Sequence, residues 1–393
     1  MDAQDLKETL RMQEILRVFQ QLKDHRRFNR SYLLCDIAFL AVSAVMCGCD
    51  GWEDMGDWTH DAMKFLGPLM KRPRGRTPSA DTFRRVFAHI SPESFERCFL
   101  AWTAFLKTSG PTVATNNNNI PHIAIDGKTA RRSFLHAWDK TPLHMVSAFA
   151  TENQLLLGQL KVNGKENEIT AIPRLLELLD LRQSTVTIDA IGCQKQIARK
   201  IVEGKGDYLL ALKENQKALC QSVVNLLDDA ILEDFKDLRH DYFEETTGDH
   251  GRIETRKTWV TGNLRWIKTA KQWPGLRQVV VVESTRETRE KTTTERRYYI
   301  ASHRTLDAKR TAGIIRSHWG IENRVHWILD VVFNEDQCPI RRENGPENFA
   351  RLRRIVLNKL KTYVDPSGRK PSLRMKRKLC GWNFNYFLNV LTA

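Results

Sequence analysis

The chain has 393 residues, which is enough for two or three domains that each bury a core. Its 62 Lys and Arg residues outnumber 47 Asp and Glu residues, so the formal net charge is +15, whereas the hydrophobic fraction of 41% is ordinary for a soluble protein. This balance favours a phosphate-rich partner, although a merely basic soluble protein has the same balance. The eight cysteines show no CxxC or zinc-like spacing, and charges interrupt the N-terminal segment. We therefore expect reduced thiols, no signal peptide, no membrane partner and a cytoplasmic protein.

Residues 1–110 are predicted to form an all-α N-terminal domain. Apolar residues recur at helical spacing around Phe19, and the apolar run at 32–49 is interrupted by Asp36 and is too short to cross a bilayer of about 30 Å. We expect that run to be a buried core helix. Ser79 is a suitable N-cap for a helix that follows the basic segment 72–78. Such a helical module is typical both of a DNA-binding domain and of a structural cap.

The pattern changes after a polar linker at 111–120. Strands are predicted at 122–126, 143–151, 155–162, 184–190 and 207–212, with helices at 169–179 and 194–202. This order is typical of an α/β ribonuclease-H-like catalytic core, in which the first and fourth strands are neighbours. We assign the catalytic domain to 121–340, with a β-rich insertion at about 215–306, and a basic C-terminal segment to 341–393.

Two of the predicted neighbouring strands end in a carboxylate. Asp126 follows an apolar run and precedes a glycine, and Asp189 closes the strand at 184–190. Two acids at strand ends in a strongly basic chain suggest a metal-ion site that acts on phosphodiesters. The long helical pattern at 306–333 offers a third acid. We choose Glu322, which we expect to be partly buried beside Trp319 and Ile321, over the acids at 330–336, which look solvated.

A second interpretation of the same helix is a zinc site. His318, Glu322 and His326 have helical metal-ligand spacing, but this site would leave Asp126 and Asp189 unexplained. A set of carboxylates suits Mg²⁺ or Mn²⁺ instead. We favour the carboxylate triad, with the two histidines behind it or in contact with DNA.

Basic residues in three places are predicted to bind DNA. Lys128, Arg131 and Arg132 would neutralise phosphates beside the cleavage point. The polar cluster at 249–256 is either a solvated hairpin tip or a contact to a DNA end. Residues 341–378 contain 13 Lys and Arg against 3 Asp and Glu, which predicts nonspecific duplex binding or a solvated basic face. The predicted contacts in the last two regions are His250, Arg252, Arg256, Arg351, Arg354 and Lys359.

Several motifs resemble the DDE transposases of bacterial insertion sequences, above all the H-repeat-associated (ISAs-type) family. They are Asp-Gly-Lys-Thr at 126–129, Thr-Ile-Asp-Ala at 187–190, the cluster at 250–256, and His-Trp-Gly-Ile-Glu-Asn at 318–323 with His-Trp at 326–327. The resemblance spans nearly the whole chain, including the helical N-terminal part. It implies a catalytic and metal-binding triad of Asp126, Asp189 and Glu322.

The same resemblance implies a reaction and its partners. The triad would bind two Mg²⁺ ions, with Mn²⁺ as a substitute, hydrolyse transposon ends and transfer the 3′-OH into target DNA. The partners would be double-stranded DNA, namely terminal inverted repeats and target DNA, and a second copy of the chain in a synaptic homodimer. The location would be the bacterial cytoplasm, associated with the nucleoid.

The chain also departs from a pattern of related transposase groups. Those groups carry a Tyr, Arg, Glu and Lys series, where this chain has Ile315, His318, Glu322 and Leu329. Roles of that Tyr, Arg and Lys are therefore not transferred. Two other functions stay open at this point, a catalytically inactive DNA-binding protein or repressor derived from such an enzyme, and a ribonuclease-H-like nuclease that cuts without joining.

Overall fold

The protein is a mixed α/β structure with an all-helical N-terminal region. The computed structural model describes residues 15–24, 26, 31–67, 77–109, 121–133, 142–162, 167–249 and 251–393. The predicted linker at 111–120 lies outside these ranges. Among the described helices, none is both long enough and apolar enough to span a bilayer. All eight cysteines are free thiols, as predicted.

The helices and strands follow the predicted change from α to β. The helical region contains residues 15–20 and α1 (Leu34–Met46), α2 (Trp52–Leu66), α3 (Ala80–His89) and α4 (Pro92–Ser109). The central part contains β1 (His122–Ala130), β2 (Leu143–Ala150), β3 (Leu155–Val162), α5 (Glu168–Leu176), β4 (Thr185–Ile188), α6 (Lys195–Glu203), β5 (Asp207–Leu212) and α7 (Lys217–Leu232). Helix α1 is buried along its whole length, so the apolar run is a core helix as predicted.

The rest of the chain adds four long strands and a second group of helices. The strands are β6 (His240–Asp249), β7 (Arg252–Thr261), β8 (Gln278–Glu287) and β9 (Thr292–Ala301). The helices are α8 (Ala308–His318), α9 (Trp327–Val331), α10 (Gly345–Thr362), α11 (Leu373–Trp382) and α12 (Phe384–Thr392). A single π-helical turn, Glu322–His326, lies between α8 and α9.

One nine-stranded mixed sheet contains every described strand. Its order is β3-β2-β1-β4-β5-β9-β8-β7-β6. β1 pairs with β2 antiparallel and with β4 parallel, which confirms that the first and fourth strands are neighbours. The predicted β-rich insertion is not a separate sheet, because β9 pairs with β5 and thereby extends the central sheet. β6 was missed in the sequence because its residues are mostly polar.

The two faces of the sheet pack into different cores. Alternate residues of a strand point to opposite faces, so Ile123 and Ile125 pack with α5, α6 and α7 on one side. Ala124 faces the other side, where it joins the core of the helical region. Helix α8 also lies on that second face, where it contacts four strands, β1, β4, β6 and β7. The chain therefore leaves α8 near the carboxyl ends of β1 and β4.

The C-terminal segment is part of the helical region rather than a separate basic tail. Helix α10 packs against α1, α3 and α4, and its apolar residues share one core with theirs. The side chains of Arg351 and Arg354 and that of Lys359 are buried within this contact. The sequence could not indicate this arrangement, because the helices that enclose α10 come from the opposite end of the chain.

We predicted that Arg351, Arg354 and Lys359 form an exposed DNA-binding face. That prediction is wrong, because all three cations are buried. Arg351 donates to Glu96 at 2.8 Å and to Glu347 at 2.9 Å, and both acceptors are buried carboxylates. Arg354 donates to buried Glu335 at 2.7 Å. Lys359 donates to the carbonyl oxygen of the last residue, Ala393, at 2.8 Å. The two arginines therefore neutralise buried carboxylates, and the lysine donates a hydrogen bond to a carbonyl group.

Arg351→Ala is expected to lower the free energy of unfolding by about 3–5 kcal/mol, because it leaves two buried carboxylates without their counter-charge. The matched control is Arg374→Ala on the exposed side of α11, which should change stability by less than about 0.5 kcal/mol. Urea unfolding of the two variants measures the difference. Equal, small effects would contradict a structural role for Arg351.

Candidate active site

Asp126 and Asp189 lie next to each other because of the pairing between β1 and β4. Ile125 is in parallel register with Ile188, and each isoleucine directly precedes one of the acids. Asp126 Oδ1 accepts a hydrogen bond from the Gly127 N–H at 2.9 Å. Asp189 Oδ1 accepts from two backbone N–H groups of the turn that follows it. Backbone donors therefore orient both carboxylates.

Glu322 reaches the same place from a different element. It begins the π-helical turn after α8, and such turns occur frequently at functional sites. Ile321 and Val325 are buried and anchor this turn in the core, whereas Glu322 is exposed. The expectation that Glu322 is partly buried was therefore wrong. Ile321 and Val325 are buried in the core, whereas the Glu322 carboxylate is exposed to the cleft.

The three predicted acids line one open cleft with a volume of about 930 Å³. Its walls come from the ends of β1, β4, β5 and β9 and from the end of α8. Lys213, Arg297 and Trp319 also line it, and the Trp319 ring is 46% exposed. Acidic, basic and aromatic side chains therefore line the same open cleft.

Burial and mutual repulsion disfavour charge on the two strand-borne acids. Burial raises the pKa of Asp126 to about 7, and the nearby carboxylates of Asp189, Glu168 and Glu322 add to the effect. The pKa of Asp189 is also raised by burial and by Glu168, although backbone hydrogen bonds oppose the shift. A neighbouring positive charge would relieve this repulsion.

In the described ranges, no three His, Cys, Asp or Glu side chains are grouped closely enough to hold a metal ion. The alternative zinc set is divided, because His318 and His326 bind different partners. His318 Nδ1 is 2.8 Å from the Thr187 hydroxyl, and His326 Nδ1 is 3.6 Å from Asp126 Oδ2. Burial lowers the pKa of His318 to about 4 and that of His326 to about 3, so both imidazoles are neutral at pH 7.

Lys128 lies in the protein rather than on its surface. Its ammonium group is 2.7 Å from Asp330, 3.3 Å from Asp336 and 3.8 Å from Glu335, and its side chain is only 7% exposed. Asp330 follows the π-helical turn of Glu322, whereas Lys128 follows Asp126 by two residues. This ion cluster therefore ties the strand of the first acid to the helix of the third.

The other predicted DNA contacts have mixed environments. Arg131 and Arg132 are exposed, and Arg131 also contacts Asp336 at 3.4 Å. Arg252 is exposed, but Arg256 pairs with Glu254 at 2.7 Å on the same strand. His250 lies outside the described residues. Arg131, Arg132 and Arg252 are thus exposed, whereas Lys128 and Arg256 have acidic partners.

Some site residues were missed or misjudged in the sequence. Glu335 was expected to be solvated, but it is buried between Lys128 and Arg354. Glu168, at the start of α5, was not singled out at all. No local signal distinguished it from any other acid in the first turn of a helix, where such residues are common.

Comparisons with known proteins identify the family of the chain. Residues 117–359 match the family model described as Transposase DDE domain, and residues 16–103 match the model described as DDE_Tnp_1-associated. "Putative transposase YncI" of Escherichia coli O157:H7 is 38% identical over 97% of this chain and 95% of its own length. "H repeat-associated putative transposase YhhI" of E. coli K12 is 36% identical over 98% of this chain and 99% of its own.

The chain belongs to the DDE transposase family, among its H repeat-associated members. The predicted resemblance is thereby confirmed. A weaker likeness, with a TM-score of 0.42 and 10% identity, relates 96% of this chain to 80% of a piggyBac transposase in a synaptic complex with hairpin DNA. That likeness is too weak to define a fold.

Lys128→Ala is expected to destabilise the protein by about 3 kcal/mol or more, because three neighbouring carboxylates lose a buried counter-charge. Arg131→Ala is the matched control, since Arg131 contacts the same Asp336 from a side chain that is 84% exposed. Its effect should stay below about 1 kcal/mol. Thermal unfolding of both variants measures this difference. Similar losses of stability in the two variants would contradict a structural role for the ion cluster around Lys128.

Asp126→Asn is expected to stabilise the metal-free protein at pH 8 by a few kcal/mol. The folded pKa of about 7 is above the ordinary value of 3.8, so the stability present at low pH is lost as pH rises through about 7. The gain over wild type should therefore shrink as pH falls from 8 to 5. Unfolding in EDTA measures it, with exposed Asp61→Asn as the control. A gain that does not vary with pH would contradict the shifted pKa.

Proposed function

We propose that the chain is a metal-dependent DNA-cutting and DNA-joining enzyme. It hydrolyses the phosphodiester at transposon ends and transfers the freed 3′-OH into target DNA. The observation that carries the proposal is that carboxylates from three separate elements, Asp126, Asp189 and Glu322, line one cleft of a DDE transposase. The β3-β2-β1-β4-β5 half of the sheet, with its single parallel block, supports a ribonuclease-H-like interpretation of the core.

The chemistry of the donor set fits a hard divalent cation. Carboxylate oxygens are the ligands that Mg²⁺ and Mn²⁺ prefer, and the carboxylate side chains of Asp126, Asp189 and Glu322 line this cleft. The half-buried pair Asp126 and Asp189 is destabilised by its own charge, and bound cations would relieve that strain. Asp126, Asp189 and Glu322 would hold two such ions. When bound, the ions supply Lewis-acid polarisation and counter-charge for the oxygens of the phosphodiester.

The side chains of this protein prepare the cleft for that reaction. The strand-borne acids are fixed by backbone N–H donors, and Glu322 is exposed to the cleft. His326 is neutral beside Asp126, so it adds no charge that would compete with a cation. Arg131, Arg132 and Arg252 are exposed cations that would bind DNA phosphates around the cleft.

The proposed partners are the terminal inverted repeats, the target DNA and a second copy of the chain. Joining two ends to a target requires that both ends be held together, which a homodimer in a synaptic complex would do. The proposed site of action is the bacterial nucleoid.

The test is cleavage of a labelled duplex that contains the flanking inverted repeat. Wild-type protein should nick at the repeat boundary with Mg²⁺ or Mn²⁺ and not with EDTA. Glu322→Gln should lower the rate by at least about 100-fold, because it removes a ligand of the metal site. Glu233→Gln, an exposed acid just after α7, is the matched control and should cut normally.

The products distinguish the proposal from its competitors. Strand-transfer products with a target plasmid support transposition. Nicking without joining would identify a nuclease, and tight repeat binding without nicking would identify an inactive DNA-binding relative. If Glu322→Gln cuts as fast as wild type, the third ligand is a different residue.

A further inference from the structure

Glu168 is a carboxylate beside Gly127, the residue after Asp126, and the triad does not include it. It begins α5, and its Oε1 is 2.7 Å from His144 Nε2 on β2. His144 Nδ1 is in turn 2.7 Å from the hydroxyl of Thr129 on β1. The Glu168 side chain is only 16% exposed and that of His144 only 26%. A helix end is thereby fixed to the strand that carries Asp126.

The hydrogen bonds determine how the imidazole is oriented. Glu168 in its ionised form only accepts, so Nε2 of His144 carries the proton and donates it. On the other side of the ring, Nδ1 lies at hydrogen-bond distance from the Thr129 hydroxyl. The ring is held from both sides, and it in turn holds the Glu168 carboxylate in one orientation.

Gly127 shows how closely Glu168 approaches the first acid of the triad. A Cβ atom added at Gly127 would lie 2.2 Å from Glu168 Oε1 and 2.7 Å from His144 Nε2. The carboxylate therefore occupies the space that a side chain would fill directly after Asp126. The glycine of the Asp-Gly pair is required here for this close approach, since its φ is not positive.

Glu168 also acts electrostatically on both strand-borne acids. Its charge acts on Asp126 and on Asp189, and among the carboxylates it is the leading source of repulsion at Asp189. Glu168 thus adds a negative charge, from the start of α5, to those at the ends of β1 and β4. Repulsion between these charges costs free energy in the absence of a cation, and a bound cation relieves it.

We propose that Glu168 is a fourth carboxylate ligand of the divalent-cation site, and that His144 is the residue that positions it. The inference rests on the proposed function, because it assigns a further residue to the same site. The ligand class is a hard divalent cation, and the contribution of Glu168 should be visible in cation affinity even when no DNA is present.

The experiment measures Mn²⁺ binding to the full-length protein by the electron paramagnetic resonance signal of free Mn²⁺. Glu168→Gln should weaken binding by about 10–100-fold. Glu177→Gln, at the other end of α5 and paired with Lys200, is the matched control and should bind as wild type does. Thermal unfolding in EDTA accompanies each titration, so that a loss of affinity is not attributed to a loss of folding.

Three further variants test the mechanism of positioning. Gly127→Ala keeps all acids but displaces the Glu168 side chain, so it should reproduce the loss seen with Glu168→Gln. His144→Ala should weaken Mn²⁺ binding, and His144→Gln should restore much of it, because an amide can donate to Glu168 from a similar position. A purely structural role would lower thermal stability and leave the Mn²⁺ affinity of the folded protein unchanged.

The outcomes separate this inference from the proposed function. Loss of Mn²⁺ binding in Asp126→Asn and Asp189→Asn, together with wild-type binding in Glu168→Gln, would overturn the inference alone. Unchanged binding in all three variants would overturn the metal site itself. Loss in all three, with normal binding by Glu177→Gln, is the result that we expect.

Discussion

The Lys128 ammonium group connects the two parts of the protein that the site depends on. Lys128 belongs to the strand of Asp126, and its partners Asp330, Glu335 and Asp336 follow the helix of Glu322. Carboxylates gathered around a cleft repel each other, so the elements that carry them need an attractive contact elsewhere. The buried ion cluster supplies that contact a short distance from the acids. Arg354, which binds Glu335 from behind, extends the cluster into α10.

Apolar packing gives the same two parts their rigidity. Ile321, Val325 and Leu329 are fully buried in the core that also contains α1, α4 and α10. This core leaves Glu322 on the opposite side of its helix, towards the cleft. The helical region therefore acts on the site through the helix it buries, whether or not it also binds DNA. Because α10 completes that core, the last fifty residues are needed for the position of Glu322.

The charge of the chain is distributed differently from what its sequence suggests. A large part of the C-terminal surplus is internal, where Arg351, Arg354 and Arg377 satisfy buried acids and carbonyl groups. The exposed cations that line the cleft, Lys213 and Arg297, lie just after β5 and in β9 instead. Net charge is a sound argument for an anionic partner, but it does not locate the surface that binds it. Location depends on which cations lack an internal partner, and only packing decides that.

The sequence by itself determined the α-to-β change, the burial of α1 and the family, because each of these depends on local periodicity or short motifs. The order of the elements also predicted that β1 and β4 are neighbours. Acids at the ends of adjacent parallel strands must lie together, so Asp126 and Asp189 were predictable as neighbours. The tertiary structure decided that β6–β9 extend one sheet, that the two ends of the chain form one helical core, that Glu322 is exposed, and that Glu168 approaches Gly127. All four depend on contacts between residues far apart in sequence, and the free energy of such contacts is not encoded in any single segment.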